Sequence, residues 1–338
     1  MTTFTTASAT TRRNTIAAAL GLGMLAGLPS AASAEGLIRI AEQFGIGYLP
    51  LQMMRDRELI EKHGAEAGID ITVEWARFSG GQAMNEALLS NSVDVGSGGV
   101  GPLLLIWDRT NGDVKGIAAI NDMPLFLNAN DPDLRSLEDF TPEHRIALPA
   151  AGVSIQARVL QMAAKEQLGE WNALEVNQVS LPHPDATAQM ISQVAGISAH
   201  LTSPPFQYQQ LQHEHIHNVL SSYDVLGRHT FNSVWARTSF RENNPVTYGA
   251  FLAALNEAME LIAADPADAA ATYIRVTGSG LDEAFILSMI EDPDISYTTT
   301  PNNTMRFAEF MHEIGVLNNL PGSWQDYYFE DIHDASGS

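Results

Sequence analysis

The sequence predicts an α/β protein in two halves with a helical tail, and three observations carry the prediction. The chain has 338 residues, and at roughly 100 to 200 residues per domain that length suggests two domains. Hydrophobic residues make up 45% and charged residues 17%, enough apolar content for a core and too little charge for a disordered chain. Most specifically, one β, α, β, α, β, α unit is written twice, and strands alternating with helices imply parallel sheets covered on both faces.

In the first copy the alternation of residues 37–41 predicts a strand, which Gly45, Gly47 and Pro50 break before a helix-like stretch over 51–63. Ile71, Val73 and Trp75 alternate in a second strand, Gly80 and Gly81 turn the chain, and Met84, Ala87 and Leu88 form a helical face. A third strand over 93–96 runs into Ser97-Gly98-Gly99-Val100-Gly101 and a helix opened by Pro102. In the second copy Arg145-Ile146-Ala147 repeats Arg39-Ile40-Ala41, residues 175–181 repeat the second strand, and residues 189–194 repeat the helix after it. Residues 197–202 repeat the third strand, so Ser203-Pro204-Pro205 falls where Gly99-Val100-Gly101 fell. From Asn243 onward the pattern is helical, with Tyr248, Phe251, Leu255 and Met259 on one face and Phe307, Phe310, Met311 and Ile314 on another. Asn244-Pro245 and Asp265-Pro266 each set an N-cap before a proline at the first helical position. Residues 232–237 read as a strand rejoining the first sheet. The expected domains are therefore 36–121 plus 227–338, and 122–226.

Residues 1–34 hold no acid, carry Arg12 and Arg13, continue in a small-residue apolar run and close in Ala32-Ser33-Ala34. This is the pattern of a secretory signal peptide with an A-x-A cleavage site. Thr11-Arg12-Arg13-Asn14-Thr15-Ile16 resembles a twin-arginine export signal, with Thr15 where Phe is usual. The apolar run is too short to span a bilayer, so the mature chain is expected to be exported and soluble. The full chain's 40 acids against 18 bases give a formal charge of -22, and removal of Arg12 and Arg13 leaves 16 bases against 40 acids, a formal mature charge of -24, a surface that repels nucleic acid and anionic lipid. The absence of cysteine removes disulfides, thiol catalysis and zinc-thiolate sites.

Several blocks in a fixed order carry a family resemblance. They are Phe78-Ser79-Gly80-Gly81 before a helix, Asn91-Ser92-Val93-Asp94-Val95-Gly96 leading to Gly101-Pro102, and Arg145-Ile146-Ala147-Leu148-Pro149. Ala195-Gly196-Ile197-Ser198-Ala199-His200 and Asn232-Ser233-Val234-Trp235-Ala236 follow. Together the blocks resemble the periplasmic substrate-binding proteins of ABC importers, in the nitrate/sulfonate/taurine group that includes thiamine-pyrimidine binders. The resemblance implies the two-lobed periplasmic-binding-protein fold of type II, with a ligand cleft between lobes. It also implies a monomer in the periplasm that passes a small-molecule ligand to an ABC permease and its ATPase. Enzymes that look like this family depend on cysteines, so no enzymatic activity and no cofactor are expected.

In such folds ligands bind at the carboxyl ends of the strands, which directs attention to four rim segments. In Phe44-Gly45-Ile46-Gly47-Tyr48 the glycines admit close backbone approach and Phe44 and Tyr48 offer apolar walls; a tight turn with a core aromatic is the alternative. In Ser97, Gly98, Gly99 and Val100 a glycine turn meets a helix start whose free N–H groups suit an oxygen ligand, although such a turn is often only a turn. In Gly152, Val153 and Ser154 the serine either caps its own helix or faces the cleft. Ser203 is expected to cap a helix opened by Pro204, with Phe206 covering the ligand or filling the core. By the resemblance, Asn121 at the crossing between halves and Trp235 on the returning strand join the set. Sulfonate-binding relatives carry hydroxyls at positions aligned with Val100, Gly101, Gly152 and Val153, which this sequence has lost. With no Lys or Arg in any rim segment, a ligand that is neutral, zwitterionic or singly charged, with an apolar or aromatic body, is expected. The hinge is expected near 120–126 and 223–233.

His213, His215 and His217 form the alternative constellation. Alternate residues of an extended segment point one way, so three imidazoles could meet a Zn²⁺ or Ni²⁺ in a metal-binding or sensor-partner role. An exposed polar loop is the competing reading.

Overall fold

The computed structural model describes residues 35–194 and 196–338. The expected signal peptide, with its twin-arginine pair and cleavage site, lies outside the described residues. In chain order the first part runs β1 (Leu37–Glu42), α1 (Leu49–Asp56), α2 (Leu59–Glu66), β2 (Thr72–Arg77), α3 (Gly81–Leu89), β3 (Val95–Gly99), α4 (Val100–Arg109) and β4 (Val114–Asp122). Then come β5 (Phe126–Ala129), β6 (Ile146–Leu148), α5 (Ile155–Leu168), β7 (Gln178–Ser180), α6 (His183–Ser192), β8 (Ala199–Thr202), α7 (Phe206–Leu211), β9 (His217–Ser221) and α8 (Ser222–Leu226). The chain finishes with β10 (Thr230–Arg237), α9 (Thr238–Asn243), α10 (Pro245–Ala264), α11 (Pro266–Thr277), α12 (Glu283–Ile290) and α13 (Met305–Glu313).

Among the described residues ten strands make two five-stranded sheets, ordered β2-β1-β3-β10-β4 and β7-β6-β8-β5-β9. In each, the first three strands in this order pair parallel, because each is followed by a crossover helix; the fourth is antiparallel to both its neighbours, so the fifth points the same way as the first three. That fourth strand is always the first one laid down after the chain crosses from the other sheet: β5 after β4, and β10 after β9. Strands β1, β3 and β10 are buried along nearly their whole length, as expected of strands covered on both faces.

The two crossings, 123–125 and 222–229, are tied to one another. Leu125 N donates to Ser222 Oγ at 2.9 Å and Ser222 N donates to the Leu125 carbonyl at 2.8 Å. The fully buried His229 must donate from Nδ1 to the Thr230 carbonyl at 3.0 Å, so its Nε2 accepts from Ser222 Oγ at 2.9 Å. Burial pushes the His229 imidazole down to about 4, which keeps it neutral and keeps Nε2 an acceptor.

Three local expectations need correction. The helix over 51–63 is two helices, because Glu58 takes a left-handed conformation (φ 50°) between them. The helix of the second unit ends at Ser192, with Gln193 left-handed at its C-terminus, and does not reach 194. Ser203 does not cap a helix: α7 starts only at Phe206 with Pro205 at its N-cap, so the Ser203 hydroxyl lies too far back along the chain.

Candidate functional site

The loops after β1, β3, β6 and β7 meet the start of β10 and enclose a cavity of about 20 Å³. Gln43, Phe44, Tyr48, Gly99, Phe231 and Asn232 line it from the first sheet; Pro149, Ser154, Ile155, Gln156 and His183 line it from the second. That volume holds about one water. An organic solute enters only if the walls part.

Glycine lets the first wall come this close. A Cβ on Gly99 would stand 2.4 Å from Ile155 Cγ2, and one on Gly45 would stand 2.8 Å from the Pro204 carbonyl oxygen. Gly45 also has φ 112°, a conformation that disfavours any side chain. Across this seam Ile46 N donates to the Pro204 carbonyl at 3.3 Å. Behind the rim, Arg77 stacks on the Phe44 ring at 5.6 Å and pairs with the buried Glu42 at 2.5 Å. Burial raises the Glu42 carboxyl above its ordinary value, although Arg77 opposes it. Asn121 donates to the Gly47 carbonyl at 2.5 Å and accepts from Asn232 N at 3.3 Å, so it holds rim backbone in place. Tyr48 OH donates to Asn232 Oδ1 at 3.3 Å, and the buried Asn232 Nδ2 has no partner.

The second wall is built differently. Ser154 caps its own helix, accepting from Ala157 N at 3.2 Å, and also faces the cavity. His183, at the start of α6, stacks on Phe206 at 5.6 Å. Its Nδ1 lies 2.8 Å from His200 Nε2 and 3.0 Å from Thr202 Oγ1, and its Nε2 lies 3.2 Å from Gln156 Nε2. Burial holds the His183 imidazole down at about 3 and His200 well below its ordinary value, so both rings are neutral. One turn into α5, Arg158 is buried beside the seam, bonding Gln161 Oε1 at 2.7 Å and the Gly152 carbonyl at 2.6 Å with its Nε left over. Burial lowers its guanidinium to about 10, opposed by Glu175, which bonds Gln161 in turn.

Of the residues singled out in the sequence, Phe44, Tyr48, Gly99 and Ser154 line the cavity. The others stand behind or beside it. Ser97 Oγ donates to the Ala41 carbonyl at 2.5 Å, and Gly98 lies against Gln43 and Trp235. Val100 is fully buried. Trp235 packs on Gly96 and Gly98, with its indole N–H unpartnered. Gly152 is exposed, its N–H bonded to Gln178 Oε1, and Val153 is half-buried. The Ser203 hydroxyl is buried without a hydrogen-bond partner. Sequence reasoning missed Gln43, Gln156, His183 and Asn232. A signal for His183 existed: Leu181-Pro182-His183-Pro184 occupies in the second unit the place that Phe78-Ser79-Gly80-Gly81 occupies in the first.

The histidine triplet does not converge. Residues 213–215 form turns and only His217 lies in β9, so the alternation needed to align three rings is absent. His215 Nε2 faces the Met190 carbonyl at 3.3 Å, while His217 Nε2 faces the Leu134 carbonyl at 2.7 Å. Among the described residues, no group of three or more His, Asp or Glu side chains is arranged to hold a metal ion, and no helix is long and apolar enough to cross a membrane.

Residues 40–276 match the NMT1-like family. No curated protein matches the chain. Among solved structures it is similar to the alkanesulfonate-binding protein SsuA of Xanthomonas axonopodis pv. citri bound to MOPS, with 19% identity, 85% of this chain and 96% of that one covered, and a TM-score of 0.69. It is also similar to the ligand-binding component of an ABC-type import system from Staphylococcus aureus, with 13% identity over 90% and 100% of the two chains and a TM-score of 0.68. The periplasmic nitrate-binding protein NrtA of Synechocystis PCC 6803 is similar at 14% identity over 87% and 84%, with a TM-score of 0.65. The fold is that of the periplasmic binding proteins.

Proposed function

The chain belongs to the NMT1-like family, and from that premise we propose that it is an exported solute-binding protein of an ABC importer. It captures a small organic molecule between two lobes, residues 36–121 plus 227–338 and residues 122–226, and presents it to a membrane permease driven by an ATPase. It acts as a monomer in the periplasm and binds its solute without transforming it. The observation that carries this reading is the cavity: two sheets joined by two pinned crossings face each other across a polar seam, lined by unpaired or neutral donors. Such a geometry opens and closes by changing a few dihedral angles in the crossings. The names of the similar structures, for sulfonate, nitrate and ABC import, support the same reading.

The cavity lining carries no charged side chain, and the nearest buried cation, Arg158, stands outside that lining. We therefore assign a ligand with an aromatic or apolar body and at most one negative charge, since a second would be buried without a counterion. Phe44, Tyr48, Gly99, Ser154 and Phe206 are the residues we place closest to it, with Ser97, Gly98, Val100, Asn121, Gly152, Val153, Ser203 and Trp235 shaping the cleft around them. The test is to identify by mass spectrometry the solute that co-purifies from the exporting cell. That solute is then added back while calorimetry follows binding and X-ray scattering follows compaction. Binding with compaction and unchanged solute is expected; conversion of the solute to a product would overturn the reading.

A further inference from the structure

Beneath the second wall, buried side chains form one directed chain of hydrogen bonds, and its direction can be read from the end where a backbone carbonyl leaves no choice. The Gln207 carbonyl can only accept, so the Asn128 group 3.0 Å away is Nδ2, and the same Nδ2 donates to Gln210 Oε1 at 3.1 Å. With Gln210 Oε1 fixed as acceptor, Gln210 Nε2 is the donor that meets Thr187 Oγ1 at 3.1 Å and His200 Nδ1 at 2.7 Å. A neutral His200 that accepts at Nδ1 carries its proton on Nε2, which donates to His183 Nδ1 at 2.8 Å. A neutral His183 that accepts at Nδ1 then carries its own proton on Nε2, the nitrogen beside Gln156 at the cavity.

We propose that this chain fixes His183 as the Nε2–H tautomer and makes the second wall a hydrogen-bond donor that selects solutes bearing an oxygen acceptor, whether carboxylate, sulfonate or carbonyl. Two N–H groups cannot bond each other. Either the Gln156 amide turns its oxygen to His183 and shows its NH₂ to the cavity, or His183 keeps its N–H for the solute. Both arrangements offer the cavity a donor. From the first wall the unpartnered Asn232 Nδ2 offers a second, so an acceptor oxygen between the walls is bonded from both sides. The chain also ends where the halves join: Gln207 accepts from Phe126 N at 3.2 Å and donates to the Pro124 carbonyl at 3.2 Å. Gln210 and His200 are positioning residues here; within the second wall's network it is His183, with Gln156 beside it, that meets the solute.

The inference rests on the cleft being the solute site, and nitrogen NMR tests it apart from that reading. In protein labelled with ¹⁵N at histidine, the His183 ring is expected to show a protonated Nε2 and a bare Nδ1. In Gln210→Met, which takes away the donor to His200, the His183 signals should move toward a mixture of tautomers; a purely structural role for Gln210 would leave them in place. With benzoate and benzylamine as probes, benzoate should bind wild type in preference and lose at least tenfold in affinity in His183→Phe, which keeps a ring against Phe206. A bare Nε2, or benzylamine preferred over benzoate, overturns the donor assignment and leaves solute capture standing. A chain that compacts with no solute of its exporting cell strikes down the capture reading instead, and the tautomer result still decides the direction of the chain.

Discussion

The two walls of the cleft reach the same surface by opposite means. The first is shaped by backbone: Gly45 and Gly99 let main chain touch the opposite wall, and side chains such as Asn121 serve to hold main chain in position. The second is shaped by side chains, with His183, His200, Gln210 and Asn128 each placed by the next. In the first wall the polar side chains Asn121 and Ser97 each hold a single stretch of main chain, through the Gly47 and Ala41 carbonyls, so losing one breaks few bonds. A wall built as a buried network is fully satisfied or costly, since each unpaired group left inside carries its whole desolvation penalty.

Acid should separate them most. His183, His200 and His229 are buried as neutral rings with their pKa values pushed below 6.5 by burial. The unfolded chain takes up protons that the folded chain refuses, so their stabilisation is whole above pH 6.5 and declines as the pH falls toward about 4. Each contributes a slope of about 1.4 kcal/mol per pH unit within that window. The first wall works in the other direction, because burial raises Glu42. Denaturant unfolding at pH 7 and pH 5 should show the loss, and equal stability at both would mean that the histidine network is open to water.

Next in size is Gly99→Leu. Gly99 has φ of −67°, which any residue adopts, so the fold should persist while the new side chain meets Ile155. Solute affinity should fall at least a thousandfold, about 4 kcal/mol, with compaction lost in X-ray scattering. Unchanged closure would show that the walls do not meet in solution. Asn128→Leu strikes the second wall by removing the partner of Gln210 Oε1 and the Gln207 carbonyl. It should cost about 3 kcal/mol in chemical denaturation, against about 1 kcal/mol for Ser97→Ala in the first wall; equal costs would mean that the two walls do not differ in this way. The smallest effect belongs to His213→Ala. A ring in a surface turn should shift stability by no more than about 0.5 kcal/mol, and added Zn²⁺ should leave the melting temperature where it was.

The same contrast explains what the sequence made legible. Residues 37–41 and 71–75 alternate, glycines punctuate them, and the unit recurs, so the sheets and the first wall could be read locally. Phe44, Tyr48 and Gly99 were found that way. Of the second wall only Ser154, at a helix start, could be read so; its network could not, because Gln156 and His183 lie 27 residues apart and Asn128 and Gln210 lie 82 apart. No periodicity encodes such a pairing. Ser203 shows the converse error: a serine before two prolines has the form of a cap, yet the helix begins only at Phe206, and the hydroxyl is left buried and unbonded.

The exchange of antiparallel strands bears on the order in which the molecule can be built. The second sheet draws all its strands from one continuous stretch, β5 through β9, so it can form as soon as that stretch is free. The first sheet cannot, since β10 must enter between β3 and β4 after the whole second sheet has been made. Closing so long a loop is slow, because its chain entropy is lost before the strand pairing compensates it. Refolding should therefore be biphasic, with amides of β6 and β8 protected from hydrogen exchange before those of β3 and β4. A fragment ending before Thr230 would leave β3 and β4 with bare edges, the kind of surface on which chains aggregate.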